Sequence, residues 1–267
     1  MDHRFGYLDA ATPLAFAHRG GAADGDENTI EAFGRAVALG YRYLETDVHT
    51  TADGVPVVFH DSTLLRLTGA AGRIADLRWT DLAAVRVGGA GAVPRLQDVL
   101  AAWPGVRFNI DVKADSAAAP TIAAVRHAGA GDRVLLASFS DTRLARIRTL
   151  AGPGIATSLG RRAVARLRAA SLVGAPLRRP ASAVAVQVPV RQGRLSIVDR
   201  RFVRHAHRLG LQVHVWTIDD PAEMAELLDL GVDGIMTDRI ETLRDVYAAR
   251  GHWPPAADDA SPTPLGS

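Results

Sequence analysis

Eight short, almost continuously apolar runs recur along the chain, at residues 14–18, 43–48, 108–112, 134–137, 154–157, 183–188, 212–216 and 234–237. Between most of them lie longer segments with apolar residues at helical spacing, at 29–39, 117–128, 142–150, 199–209, 221–230 and 240–250. A strand that is apolar on both faces must be covered on both, the condition of a parallel sheet wrapped by helices. Eight such units in about 240 residues fit an α/β fold, a (β/α)8 TIM barrel built as a single domain over residues 1–250. A doubly wound open sheet is the alternative. With 267 residues, 48% of them hydrophobic, the chain can bury one large core.

Two stretches depart from the rhythm. Residues 61–107 are longer than an ordinary connection between a strand and the next helix, and their second half, 81–102, has a helical pattern. Residues 251–267 carry four prolines and little apolar content, so a disordered tail is expected. No apolar leader follows MDHRFGYLDA and no long apolar run occurs. Neither a signal peptide nor a membrane span is expected, and the location is read as cytoplasmic. The absence of cysteine excludes disulfides and thiolate metal sites.

Ionisable residues interrupt the apolar runs at one end. The first run closes on His18-Arg19-Gly20-Gly21, the second holds Glu45 and Asp47, and the third Asp111 and Lys113. The later runs end near Ser138, Gln187, His214 with Trp216, and Thr237-Asp238. In such barrels the C-terminal strand ends carry the chemistry. Side chains alternate along a strand, so Glu45 and Asp47 share a face, as do Asp111 and Lys113. Three carboxylates on neighbouring strands, with no thiol, suit one hard divalent cation, Mg²⁺ or Ca²⁺. His18 and His60 each follow an apolar run near these carboxylates. Such a pair can act as general base and general acid near neutral pH, as phosphodiester cleavage requires. Lys113 is the one lysine beside thirty arginines, and a compact ammonium fits a phosphate oxygen.

Other features read as structure first. Asn28-Thr29-Ile30-Glu31 has the form of a helix N-cap, which gives Asn28 a capping role, with a substrate-side role for Glu27 or Asn28 as the weaker reading. Thr51-Ala52-Asp53-Gly54 is a turn leading the chain back toward His60. Gly20-Gly21 could cradle a phosphate but lacks the spacing of a dinucleotide site. Trp216 fits a pocket wall or a core position equally. His49 shares the parity of Glu45 and Asp47 without further distinction.

The net charge of +2 conceals an asymmetry. Between Asp141 and Asp199 there is no acidic residue and there are eleven arginines, densest at Arg161, Arg162, Arg166, Arg168, Arg178 and Arg179. A solvated helix face is one reading. The other is peripheral contact of residues 161–179 with phosphate or an anionic lipid surface. A nucleic-acid partner is not expected, because the segment has no aromatic residue to stack on bases.

HRGG, ENTIEAF, ETDVHTTADGVPVVFHD, LLRLTGAAG, NIDVK, VHVWTID and GVDGIMTD, in that order, resemble the bacterial glycerophosphodiester phosphodiesterases. The resemblance runs from about Phe16 to Arg250. It implies a TIM barrel, a divalent cation, and hydrolysis of small glycerophosphodiesters to glycerol 3-phosphate and an alcohol. By position in the motifs, His18 and His60 would be the acid–base pair, Glu45, Asp47 and Asp111 the metal ligands, and Arg19 and Lys113 phosphate contacts. Many family members carry Glu where this chain has Asp111, which draws the carboxylate back by one methylene. Asp followed by Lys here is similar to phospholipase D toxins of the sphingomyelinase D type. A lysophospholipase D or sphingomyelinase D-like activity is therefore the alternative on the same barrel. An amidohydrolase would need H-x-H on the first strand, which Ala17-His18-Arg19 does not supply. A catalytically silent anion- or lipid-binding barrel would not need this set of histidines and carboxylates at one mouth.

Overall fold

In the computed structural model, which describes residues 5–11, 13–89 and 91–253, the eight apolar runs become eight parallel strands. They are β1 (Leu14–Ala17), β2 (Tyr43–Thr50), β3 (Arg107–Val112), β4 (Val134–Ala137), β5 (Ala156–Ser158), β6 (Ala183–Val188), β7 (Gln212–Val215) and β8 (Gly234–Thr237). Each strand pairs with the next, and β8 returns to β1 through Leu14 opposite Gly234. The sheet is closed, as the TIM-barrel reading requires, and the open sheet is excluded. Around it run α1 (Ile30–Ala38), α2 (Leu96–Ala102), α3 (Ala118–His127), α4 (Asp141–Ala151), α5 (Arg161–Val173), α6 (Arg200–Arg208), α7 (Pro221–Leu230) and α8 (Ile240–Ala249).

Alternation along the strands separates two cores. Leu44, Val48, Phe108, Ile110 and Val112 belong to the layer between sheet and helices. Phe16, Tyr43, Leu135 and Met236 fill the barrel interior together with Phe5, Tyr7 and Leu8 of the N-terminal segment. That segment seals the N-terminal end: Tyr43 Oη donates to the Tyr7 carbonyl at 2.6 Å, and Arg107 Nε to that of Gly6 at 3.0 Å. At Gly234 a Cβ would stand 2.7 Å from the Phe16 ring and 3.0 Å from the His214 ring. Only the missing side chain lets both rings enter the barrel.

The long connection holds no single helix over 81–102. Helical residues occur at Trp79–Leu82 and again in α2, with the hairpin Arg86–Val87 and Gly91–Ala92 between them. Gly88 and Gly89, at φ 59° and 82°, make its turn, and Pro94 follows; these residues break the periodic pattern. Ahead of the connection runs Pro56–Val58, antiparallel to the C-terminal half of β2, and the two pack together in a cluster of Val57, Phe59, Leu64, Ile74 and Leu82. Of the expected tail, residues 251–253 are placed: the Trp253 ring meets Tyr41 edge-on at 4.9 Å. Residues 254–267 lie outside the described residues. No described helix is long and apolar enough to cross a membrane.

Candidate active site

The register of β2 on β3 sets Glu45 opposite Asn109 and Asp47 opposite Asp111. All four side chains are buried, and all four line one cavity of about 900 Å³ at the C-terminal mouth. Lys113 reaches back between two of them: its Nζ stands 2.7 Å from Asp47 Oδ1 and 2.7 Å from Asp111 Oδ2. Asp111 Oδ1 is buried without a hydrogen-bond partner. Burial, with the charge of Asp47 added, pushes the Glu45 carboxyl up to about 7. Burial also raises Asp111, against the pull of Lys113. On Asp47 burial acts in the same sense, yet Lys113 and Arg19 outweigh it and hold the group below its ordinary value. The pocket is thus short of positive charge.

His18 and His60 line the same cavity as this carboxylate group. Each is tied through Nδ1 to its own aspartate at 2.6 Å, His18 to Asp238 and His60 to Asp61. Donation from Nδ1 leaves Nε2 as the nitrogen that can exchange a proton; His18 Nε2 stands 3.8 Å from Glu45 Oε2. Burial disfavours the charged form of His18, but Glu45 and the Asp238 bond prevail and raise its proton affinity. His60 is brought in by the antiparallel strand, where Phe59 N donates to the Asp47 carbonyl at 3.0 Å.

The loop after β1 fixes the rest. Arg19, at φ 52°, turns its N–H onto Glu45 Oε2 at 3.1 Å and its guanidinium toward Asp47, with Nε 3.2 Å from Oδ2. Glu27 receives Arg19 Nη1 at 2.8 Å and Arg66 on both oxygens, so it anchors arginines and has no open face for substrate. Asn28 is not the helix cap. Thr29 is, accepting from Ala32 N at 3.1 Å. Asn28 sits at φ 63° and donates to Asp47 Oδ2 at 3.0 Å while accepting from Thr46 at 2.8 Å. The Asn-Thr-Ile-Glu pattern permits either residue to cap, and the left-handed Asn28 backbone decides between them.

One expectation changes, and two features left open by the sequence are placed. His214 lies fully buried in the barrel interior, bonded to Gln212 Oε1 at 2.9 Å, rather than at the mouth. His49 points at the His60 carbonyl, 3.1 Å away, and positions that segment. The arginine-rich segment is only partly solvated: Arg168 pairs with Asp199 at 2.8 Å, and Arg179 donates to the carbonyls of Leu209 and Ala183. Arg161, Arg162, Arg166 and Arg178 are exposed. Trp216 lines the cavity, half-buried, with Phe139 edge-on at 5.6 Å. Asp61 and Asp238 complete the site as the partners of the two histidines. Asp61 could have been found as the neighbour of His60; Asp238 stands at a strand end in the sequence, but its pairing with His18, 220 positions away, needs the fold.

A parallel barrel whose C-terminal mouth gathers two Asp-linked histidines, three buried carboxylates, Lys113 and Arg19 belongs to the class of barrel hydrolases that handle anionic substrates. Residues 18–242 match the glycerophosphoryl diester phosphodiesterase family. The Mycobacterium tuberculosis protein named "Probable glycerophosphodiester phosphodiesterase 2" is 41% identical over 244 residues, 90% of this chain and 92% of that one. A glycerophosphodiester phosphodiesterase structure from Agrobacterium tumefaciens aligns with TM-score 0.72 and 26% identity, over 88% of this chain and 99% of that one. An Oleispira antarctica phosphodiesterase, solved with sn-glycerol-3-phosphate, shares the fold at TM-score 0.75 and 22% identity, over 89% and 97%. The chain belongs to the glycerophosphoryl diester phosphodiesterase family and is an enzyme of that kind.

Proposed function

We propose that the enzyme hydrolyses small glycerophosphodiesters to glycerol 3-phosphate and an alcohol, with His18 and His60 as the acid–base pair and a divalent cation, Mg²⁺ or Ca²⁺, on the phosphate. One observation carries the reading: both histidines, each oriented by its own aspartate, line the same cavity as Glu45, Asp47 and Asp111. The carboxylates fit a hard cation, because Asp111 Oδ1 is buried unpaired and Glu45 is short of counter-charge. Among the described residues no three acids or histidines already form a cage; Lys113, between Asp47 and Asp111, would have to yield one of its two partners. When bound, the cation neutralises non-bridging phosphate oxygens.

The protein's own groups account for the proton transfers. One imidazole Nε2 takes a proton from water as its oxygen bonds to phosphorus. The other gives a proton to the alcohol oxygen as the P–O bond breaks. Asp61 and Asp238 hold the rings in the tautomer this requires. Arg19 and Lys113 supply fixed positive charge for the phosphate, and Trp216 with Phe139 shapes the wall beside it. The exposed Arg161, Arg162, Arg166 and Arg178 offer a positive edge to an anionic lipid surface. His18→Ala and His60→Ala should each lower kcat at least about 100-fold, the usual worth of a general acid or base. Steady-state release of glycerol 3-phosphate by the folded variants checks this. Near-normal turnover in either one removes that residue from the mechanism.

A further inference from the structure

Arg66 lies outside the cavity wall, yet its guanidinium holds two carboxylates at once. Nε donates to Asp61 Oδ2 at 2.6 Å and Nη2 to Asp61 Oδ1 at 3.1 Å. On its other edge Nη1 donates to Glu27 Oε2 at 3.0 Å and Nη2 to Glu27 Oε1 at 2.8 Å. A guanidinium carries its donors in a rigid planar fork, and here both edges of the fork are filled. An isolated surface ion pair contributes little, because its long side chains stay mobile. This one is held. Glu27 is buried, and Arg66 stands on the short helix Leu65–Thr68, which Leu64 and Leu67 anchor in the cluster of the long connection.

Each carboxylate passes the contact on into the site. Asp61 Oδ1 pairs with His60 Nδ1 at 2.6 Å, and Glu27 Oε1 accepts from Arg19 Nη1 at 2.8 Å. An unbroken run of hydrogen bonds therefore joins the His60 ring to the Arg19 guanidinium, two groups that line the cavity, through three that do not. The bonds from Arg66 bring the Asp61 carboxyl down to about 2, against its burial, so it stays an acceptor for His60. Burial raises Glu27, but Arg66 and Arg19 outweigh it and hold the group below its ordinary value. Without Arg66 the two carboxylates would face one another with no cation between them, and like charges would part them.

We infer that Arg66 is a positioning residue, a clamp that fixes the acid–base group His60, through Asp61, relative to the phosphate contact Arg19, through Glu27. The inference rests on the roles proposed above for His60 and Arg19 and extends them to a residue outside the cavity. The two arms of the clamp have separate consequences. The Asp61 arm sets the tautomer and aim of the imidazole, which matter to proton transfer. The Glu27 arm sets the guanidinium that meets the phosphate, which matters to binding as well.

The test is steady-state release of glycerol 3-phosphate from glycerophosphocholine by the full chain with added Mg²⁺ or Ca²⁺, beside thermal unfolding. The Arg66 side chain is 46% exposed, so truncating it leaves no buried hole. Arg66→Ala should lower kcat by roughly 10- to 100-fold, the scale of misplacing a reacting group by about 1 Å, and should raise KM. Asp61→Asn should reproduce the fall in kcat and Glu27→Gln the rise in KM. Arg66→Ala added to Asp61→Asn should lower kcat little further, because both act through one contact. Arg66→Lys keeps the charge without the fork and should stay closer to the alanine variant than to the wild type; if Arg66→Ala does not fold, this variant carries the comparison. Arg73→Ala, which removes an exposed ion pair with Asp76 from the same connection, should change neither constant. Full activity in Arg66→Lys, additive losses with Asp61→Asn, or a lowered Tm with both constants unchanged in Arg66→Ala overturns the clamp. If His60→Ala and Arg19→Ala lose activity while Arg66→Ala does not, the clamp alone falls. If those two keep wild-type constants, the proposed mechanism falls and takes the clamp with it.

Discussion

At the scale of single residues, Lys113 bears the sharpest constraint. Its ammonium lies 2.7 Å from each of two buried carboxylates, and no other lysine exists in the chain. Burial works against its charge, but Asp47 and Asp111 hold the proton and raise its affinity well above that of an ordinary lysine. The group is therefore cationic throughout the working pH range. An ammonium can turn one of its three donors to a phosphate oxygen while keeping a carboxylate, whereas a planar guanidinium is wider and needs a fork-shaped partner. Lys113→Arg should accordingly fail to rescue what Lys113→Ala loses. Both variants are expected to lose about 2–4 kcal/mol in kcat/KM, the worth of one preorganised electrostatic group. The loss should be the same for choline and ethanolamine headgroups if, as proposed, the contact is to phosphate. Steady-state kinetics on both substrates decides it, and full activity in the arginine variant would defeat the geometric argument.

At the scale of elements, the loop between β1 and α1 explains why HRGG is needed as a block. Arg19, Gly20 and Gly21 follow one another at φ 52°, 85° and 95°, a run that turns the Arg19 N–H onto Glu45. At Gly20 a Cβ would stand 2.9 Å from Phe33 N and 2.9 Å from its ring, so both the backbone and the space demand glycine. Gly20→Ala should destabilise the fold by roughly 1–3 kcal/mol, which for a chain of this size lowers Tm by several degrees. Thermal unfolding followed by circular dichroism measures it, and an unchanged Tm would show that the loop can relax. The doublet's place at the site was legible in the sequence, but its purpose was not. A phosphate cradle was open as a reading, whereas the structure uses the glycines for close packing on Phe33 and Ile240. Asn28 escaped for a similar reason: a local capping pattern is complete without reference to β2, and only the fold brings Asp47 to its amide.

At the scale of the whole molecule, the barrel and its carboxylates were readable because two-sided burial leaves unbroken apolar runs, in which each ionisable residue stands out. Depth within the barrel was not readable. His214 shares the parity and strand of a mouth residue, yet it lies below the cavity against Phe16, with the ring centres 4.8 Å apart. Burial depresses its pKa to about 3 from the ordinary 6.5. The unfolded chain therefore takes up this proton first as the pH falls. Stability is fully present above about pH 6.5 and is lost as the pH drops toward 3. By linkage the loss between pH 7 and pH 5 is about 2 kcal/mol. His214→Gln should show a shallower fall in Tm over that interval than the wild type, and parallel curves would contradict the neutral burial of His214.

We propose that Glu45, Asp47 and Asp111, adjacent on β2 and β3, hold a cation that the two histidines need to turn over a phosphodiester. Release of glycerol 3-phosphate from glycerophosphocholine, measured after chelation to a metal content verified by elemental analysis and again after adding back Mg²⁺ or Ca²⁺, tests this most directly. Activity should disappear on chelation, return with at least one of the two ions, and fail to return in Asp111→Asn at the same ion concentration. Undiminished turnover by the metal-free wild type would contradict the account.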